Sequence, residues 1–427
     1  MRFLSFFLSV GLIVALITGC SSPQDRSVNH SASFADFDAR ATAGGVPMTV
    51  VFFGGSLTWG ANASNPQMTS YRALMSDYLR EKYPKTSFNF IDAAIGGTGS
   101  KLGLFRLQRD VMAYHPDLVF LDFTANDGLD GGDPKSLISY EGILRDMISA
   151  GVPVEQAYFG FKFNFGNAYD LSHVAGYTQR LKLADAYQTG AGDLYTYLQP
   201  KLVSGELDID KLWDLNGGKD GAHPDDSGYQ VFFEAVRKGF EEAVQKKLVC
   251  TVPAQPVYSD DYHNRTRLKL VDTPLPVGWT RTKTYRTSAW FDGQTSRWMG
   301  DVAMCDEKDK AIIQPLKVDF TGTLVGIFGE MDENGLDFKA YVDGKLIPFQ
   351  PNPKVPGVDT WPFNLKAMVK GRLFGWRVLS DNLPPGKHTL EIMPVFSDET
   401  ATLPPAPGAP AAPVRQLRIE SVCSAGD

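Results

Sequence analysis

Residues 52–60 read FFGGSLTWG. They close an apolar run that begins at Met48, and the run stops at two glycines followed by a serine. An unbroken apolar segment of this length reads as a strand buried on both faces, the signature of a parallel sheet. The carboxyl end of such a strand is where open α/β sheets place their ligands, so Ser56 becomes a candidate functional hydroxyl. Gly54 and Gly55 permit a sharp turn and leave the serine uncrowded.

Further apolar runs at 88–91 and 117–123 predict two more buried strands. Between them, Tyr71, Leu74, Met75, Tyr78 and Leu79 fall at helical spacing, as do Leu104, Leu107, Val111 and Met112. Helices are expected over 134–150, about 172–188 and 228–247, with a strand near 154–163. Strands alternating with helices of this size indicate an α/β sheet covered on both faces. After Cys250 the character changes. A proline-bearing linker is expected over 251–265, and short alternating segments then follow, separated by turn signals such as Asp343-Gly344 and Pro385-Gly386. This predicts an all-β sandwich over 266–427, after an α/β domain over 45–250. The tract 403–413 reads as an extended surface loop. Asp332–Asp337 (DENGLD) carries scattered oxygen ligands but not the EF-hand spacing, so it reads as a turn.

The chain has 427 residues, enough for two cores, and its net charge is -7 with no dense Lys/Arg block, which argues against a nucleic-acid groove. Residues 1–19 combine a cationic start with an apolar run too short for a comfortable membrane span, and read as an export signal. The run ends at Ile17-Thr18-Gly19-Cys20, which resembles the bacterial lipobox. That resemblance implies lipidation of Cys20 and anchoring to a bacterial membrane, at the outer membrane or cell surface in a Gram-negative cell. Residues 20–44 are polar and aperiodic, and are expected to form a flexible tether. Cys250, Cys305 and Cys423 remain; one disulfide is then permitted, with Cys305–Cys423 the pair considered. No Cys or His spacing suggests a metal site, and no cofactor is expected. Asn62-Ala63-Ser64 and Asn264-Arg265-Thr266 fit the N-glycosylation pattern, which a bacterial export signal leaves idle.

A serine nucleophile needs a base. Of the six histidines, His223 stands in KDGAHPDDSGYQVFF, ahead of the last helix of the α/β region, with Asp220 three residues before it. That spacing lets a carboxylate hold one imidazole nitrogen while the other faces Ser56. Acyl chemistry also needs donors for an oxyanion. The second strand ends at IDAAIGGTGS, where Gly96 and Gly97 expose backbone N–H groups, and the third at LDFTANDG, where Asn126 carries an amide. The spacing around Ser56 is not G-x-S-x-G, which excludes the nucleophile elbow of the α/β-hydrolases.

In this conjunction the chain resembles the SGNH, or GDSL-type, esterase superfamily over residues 47–248. The resemblance implies a three-layer flavodoxin-like fold, Ser56 as nucleophile, Asp220 and His223 as its partners, and an oxyanion hole of Ser56, Gly97 and Asn126. Two departures stand out. The usual first-block aspartate is Gly55, and the glycine ahead of Asn-Asp is replaced within Thr124-Ala125. The β region resembles, more loosely, the galactose-binding-like modules of extracellular carbohydrate enzymes, with Trp279, Trp290, Trp298, Trp361 and Trp376 as candidates for a sugar platform. The expected activity is therefore removal of O-acetyl groups from a polysaccharide or other glycan. The alternatives are a lipid, lysophospholipid or thioester hydrolase, or a surface lipoprotein that binds glycan without catalysis.

Overall fold

The computed structural model describes residues 31–128, 134–165, 175–215, 217–286, 295–348, 363–365, 372–396 and 415–426. The expectations for Cys20 and the export signal, for Trp290 and Trp361, and for the proline tract at 403–413 lie outside them.

The first domain is built on five parallel strands: β1 (Met48–Gly54), β2 (Phe88–Ala94), β3 (Leu118–Asp122), β4 (Val154–Tyr158) and β5 (Gly190–Asp193), in the order β2-β1-β3-β4-β5. The helices are α1 (Phe34–Ala43), α2 (Ser56–Trp59), α3 (Tyr71–Lys82), α4 (Ser100–Asp110), α5 (Pro134–Ser149), α6 (Ala175–Tyr187), α7 (Leu194–Val203), α8 (Ile209–Leu212) and α9 (Asp226–Gln245). Helices α1, α3 and α7 pack with α9, while α4, α5 and α6 pack in sequence together. Strands β1 and β3 are buried at every position because helices cover both faces. The strand order reverses between β1 and β3, and open sheets of this kind bind ligands in the crevice at that reversal.

One expectation is corrected at the amino end. Residues 34–43 are not a tether but the helix α1, with Phe34, Phe37 and Ala41 fully buried. These three lie on one helical face, Ser33 caps the first turn by accepting from the Asp36 N–H, and Phe37 meets Tyr83 and Phe240 edge-on. Each buried phenylalanine contributes about 2–3 kcal/mol, enough to hold a short helix that its polar surroundings disguise.

The second region contains two antiparallel sheets. The strands are β6 (Arg265–Lys269), β7 (Trp279–Lys283), β8 (Asp301–Asp306), β9 (Leu316–Thr321), β10 (Leu324–Met331), β11 (Asp337–Val342), β12 (Lys345–Leu346), β13 (Phe363–Asn364), β14 (Leu373–Ser380), β15 (Lys387–Val395) and β16 (Gln416–Ala425). One sheet runs β14-β10-β16-β8-β7, with β6 also on β16; the other runs β12-β11-β15-β9, with β13 on β11. Their facing side chains, including Val318, Ile327, Phe338, Ile392 and Ile419, share one apolar core. Strand β9 alternates buried and exposed residues, as a sheet with one wet face must. Strand β10 is buried almost throughout, because the outer face of its sheet joins the core of the first domain through Trp298, Val302, Phe328 and Cys423.

The joint is tied by specific contacts. Phe105 packs on Trp376 at 5.6 Å between ring centres. The Arg106 guanidinium lies over both Phe53 and Trp298. The Glu141 carboxylate accepts from the N–H groups of Val257 and Tyr258, pinning the linker. Trp279 and Trp298 are buried, so neither offers a face to a sugar.

The considered disulfide is also corrected: Cys250, Cys305 and Cys423 are free and buried. Cys305 on β8 stands opposite Leu417 of β16, whereas Cys423 lies further along that strand opposite Gly326 and Arg267. That offset is about 20 Å at the rise of a strand, far beyond disulfide reach.

Candidate active site

Ser56 follows β1 directly and opens the single-turn helix α2, which Gly60 ends at φ +96°, a left-handed conformation suited to glycine. The Ser56 carbonyl accepts from the Gly60 and Ala61 N–H groups, so the segment is tightly wound. Ser56 is buried to 4% exposure, with Oγ 2.9 Å from His223 Nε2. His223 Nδ1 lies 2.8 Å from Asp220 Oδ2. Asp220 Oδ1 meanwhile accepts from the backbone N–H groups of Ala222 and His223, which folds the D-x-x-H segment into a loop with both side chains on one side. Partial burial opposes ionisation of Asp220, but the hydrogen bond and charge of His223, with those backbone donors, hold its carboxyl below the usual range. Ser56, His223 and Asp220, far apart in sequence, therefore form a hydrogen-bonded chain.

The loops after β2 and β3 meet the chain at Gly55, the residue before Ser56. Gly97 sits at φ +71°, with open space where a side chain would stand. Asn126 is exposed, and its Oδ1 packs so closely on Gly55 that a Cβ there would lie 2.3 Å from it. The same Cβ would lie 3.3 Å from the Thr98 carbonyl, so Gly55 is the point where all three loops converge. Asp127 anchors the Asn126 loop. Its Oδ1 accepts from Ser100 N–H at 2.8 Å, and its Oδ2 pairs with the buried Arg180 at 3.1 Å. Burial raises the Asp127 pKa despite Arg180 and Ser100, which pull it down.

Several residues around this site carried no readable signal in the sequence. Arg106 donates to the carbonyls of Ala93 and Gly54, fixing the carboxyl ends of β2 and β1 just before Ser56; burial lowers its pKa to about 10. Asp122, the last residue of β3, accepts from Thr58 at 3.0 Å and from Thr124 at 3.2 Å. Burial pushes its carboxyl up to about 7, against the pull of those hydroxyls. A polar residue closing the apolar run LVFLD was the one available clue. Asn62 reaches the Asp220 carboxylate with its side-chain amide. Among the described residues no group of His, Cys, Asp and Glu is placed to hold a metal ion.

This arrangement joins a hydroxyl, an imidazole and a carboxylate in one hydrogen-bonded chain, the set of groups that nucleophilic acyl chemistry requires. Residues 52–231 match the GDSL-like Lipase/Acylhydrolase family. The first domain is a GDSL-type acylhydrolase domain. The chain is thus a serine hydrolase of ester bonds. Two solved structures are similar along nearly the whole chain. A two-domain esterase (CEX) active on acetylated mannans, co-crystallised with mannopentaose, aligns at 18% identity and a TM-score of 0.67, covering 93% of this chain and 97% of that one. A second structure of that esterase aligns at the same identity and TM-score, covering 93% and 98%. At this identity the likeness shows a shared two-domain fold. A search of curated protein sequences finds no match.

Proposed function

We propose that this GDSL-type enzyme removes O-acetyl groups from a polysaccharide, using Ser56 as nucleophile, His223 as general base and acid, and Asp220 to orient the imidazole. The observation that carries the reading is the unbroken chain of hydrogen bonds from Ser56 Oγ through both nitrogens of His223 to Asp220. In the first step His223 Nε2 takes the Ser56 proton as Oγ attacks the ester carbonyl. Backbone N–H groups of Ser56 and Gly97, with the Asn126 amide, stabilise the oxyanion. The sugar alkoxide leaves with the proton from His223. Water, deprotonated by the same imidazole, then attacks the acetyl-enzyme, releasing acetate and restoring Ser56.

The glycan substrate is supported by a fold shared over both domains with an esterase active on acetylated mannans. We further propose that the chain is exported and anchored through lipid on Cys20. Detergent-phase partitioning of the full-length protein, lost in Cys20→Ala, tests the anchor.

The test of activity is acetate release from acetylated mannan, xylan and pectin by protein beginning after Cys20, beside short- and long-chain nitrophenyl esters. Ser56→Ala should abolish turnover, by about 10⁴-fold or more. Activity confined to long acyl chains would move the substrate to lipids. Cleavage of no ester would overturn the reading.

A further inference from the structure

We infer that Asn62 is a positioning residue of this site, holding the Asp220–His223 pair in its working geometry from the nucleophile's own loop. Asn62 stands at φ +68°, a left-handed conformation uncommon outside glycine and best tolerated by Asn and Asp. Its Nδ2 donates to Asp220 Oδ2 at 2.9 Å and to the His223 carbonyl at 3.2 Å. Asp220 Oδ2 is the same oxygen that receives His223 Nδ1. One amide thus grips both the carboxylate and the backbone of the base, at the cost of an unusual backbone angle. The sequence motif Asn62-Ala63-Ser64 that fits a glycosylation site is engaged in the fold instead. Ser64 binds Asp226 through N–H and Oγ, and Thr69 binds the same carboxylate. Tyr229 donates to the Ala61 carbonyl. The segment carrying Ser56 and the segment carrying His223 are therefore stitched together at several points, with Asn62 nearest the chemistry.

The physical role follows from the geometry. A carboxylate oxygen shared between an imidazole N–H and an amide N–H is fixed in direction, so the imidazole presents Nε2 to Ser56 without searching. The amide also spreads part of the negative charge that Asp220 would otherwise direct at His223. Among the described residues, Asp226 and Tyr229 on α9 bind the Asn62 segment, Arg72 on α3 binds the Thr58 and Trp59 carbonyls, and Lys162 after β4 donates its backbone N–H to the Gly221 carbonyl while its ammonium pairs with Asp210. Among the described residues, only His223 Nδ1 and Asn62 Nδ2 reach Asp220 Oδ2, so replacing Asn62 leaves that oxygen with its imidazole contact.

This inference rests on the proposed role of Ser56, His223 and Asp220, and its test separates the two. Asn62→Gly keeps the left-handed backbone and deletes only the amide. Asn62→Asp also keeps the backbone but adds a carboxylate beside Asp220. On nitrophenyl acetate, Asn62→Gly should lower kcat about ten- to hundredfold, with KM within about twofold, the range expected for a hydrogen bond to a charged group. Asn62→Asp should move the acidic limb of the kcat/KM–pH profile upward by about one unit, since a second anion favours the protonated imidazole. A structural role alone would leave that limb in place. Wild-type activity that Ser56→Ala abolishes, with Asn62→Gly unchanged in kcat or Asn62→Asp unchanged in pH profile, overturns the role of Asn62 and spares the esterase reading. A wild-type protein silent toward every ester overturns both. If Asn62→Gly melts far below wild type, the profile of Asn62→Asp decides.

Discussion

The contact between Gly55 and Asn126 makes Gly55→Ala a sharp test of the oxyanion geometry. The backbone at Gly55 (φ −101°, ψ −151°) is extended and open to any residue, so a methyl group adds no backbone strain. Its position is the difficulty. The added Cβ would stand 2.3 Å from Asn126 Oδ1, and real Cβ atoms essentially never approach within 3.0 Å. The neighbour that must move is the end of an exposed side chain, so the cheap response is for the amide to swing away by about 1 Å or more. A misplacement of that size costs about 10²-fold, and loss of one oxyanion donor about 10²–10³-fold in kcat. The expectation is therefore a fall of about 10²-fold in kcat on nitrophenyl acetate, with little change in KM. The melting temperature should stay level or rise, because Gly→Ala at a compatible angle stabilises by about 0.4–1 kcal/mol. A double-mutant cycle completes the assay. If the methyl acts only by displacing the amide, Gly55→Ala/Asn126→Ala should be no slower than Asn126→Ala alone. A Gly55→Ala enzyme within about threefold of wild type, or losses that multiply in the double variant, would refute the reasoning.

Two further predictions concern the scaffold. Asp122 is fully buried with its pKa raised from 3.8 to about 7, so the folded state holds a proton that the unfolded chain gives up. Its stabilisation is complete below about pH 4, is lost as pH rises from there to about 7, and changes no further above that, a span worth about 4 kcal/mol. Urea melts of wild type and Asp122→Asn between pH 4 and 8 should show a difference that moves with pH in that sense; a constant difference would contradict it. Phe37→Ala should cost about 3–5 kcal/mol, because α1 belongs to the core. A loss below about 1 kcal/mol would return residues 34–43 to the status of a peripheral tail.

How much of this was legible in the sequence depended on whether the signal was local. Strands β1 and β3 announced themselves because burial on both faces demands an unbroken apolar run. Strand β5 did not. Its sequence is GAGD, and it packs at the edge of the sheet because glycine lets a helix approach: a Cβ on Gly192 would lie 2.7 Å from the Cα of Val236 on α9. Close approach is a property of two segments, and neither shows it alone. Helix α1 had only one buried face in a polar stretch, so its three apolar positions were outweighed by their neighbours. The spacing D-x-x-H was readable because its hydrogen bonds close within one loop. The grip of Asn62 on Asp220 joins residues 158 apart and left no trace in the pattern.

The departures from the family pattern make the same point more strongly. Taken one at a time, Gly55 reads as a lost carboxylate and Ala125 as a small change beside Asn126. In the fold they belong to one arrangement. A side chain at 55 would expel the Asn126 amide, so the glycine is the condition for that amide to stand where it does. A carboxylate is still present near this turn, supplied by Asp122 at the end of β3 and held by Thr58, two residues beyond Ser56. The third-strand loop is fixed by Asp127 through Ser100 and Arg180. Restoring the family aspartate at position 55 alone would therefore not repair this site. It would remove the space Asn126 occupies, so Gly55→Asp should lose at least as much activity as Gly55→Ala. The outcome to measure is the ratio of the two kcat values: an aspartate variant faster than the alanine variant would mean that the carboxylate, and not the cleared space, is what this loop requires.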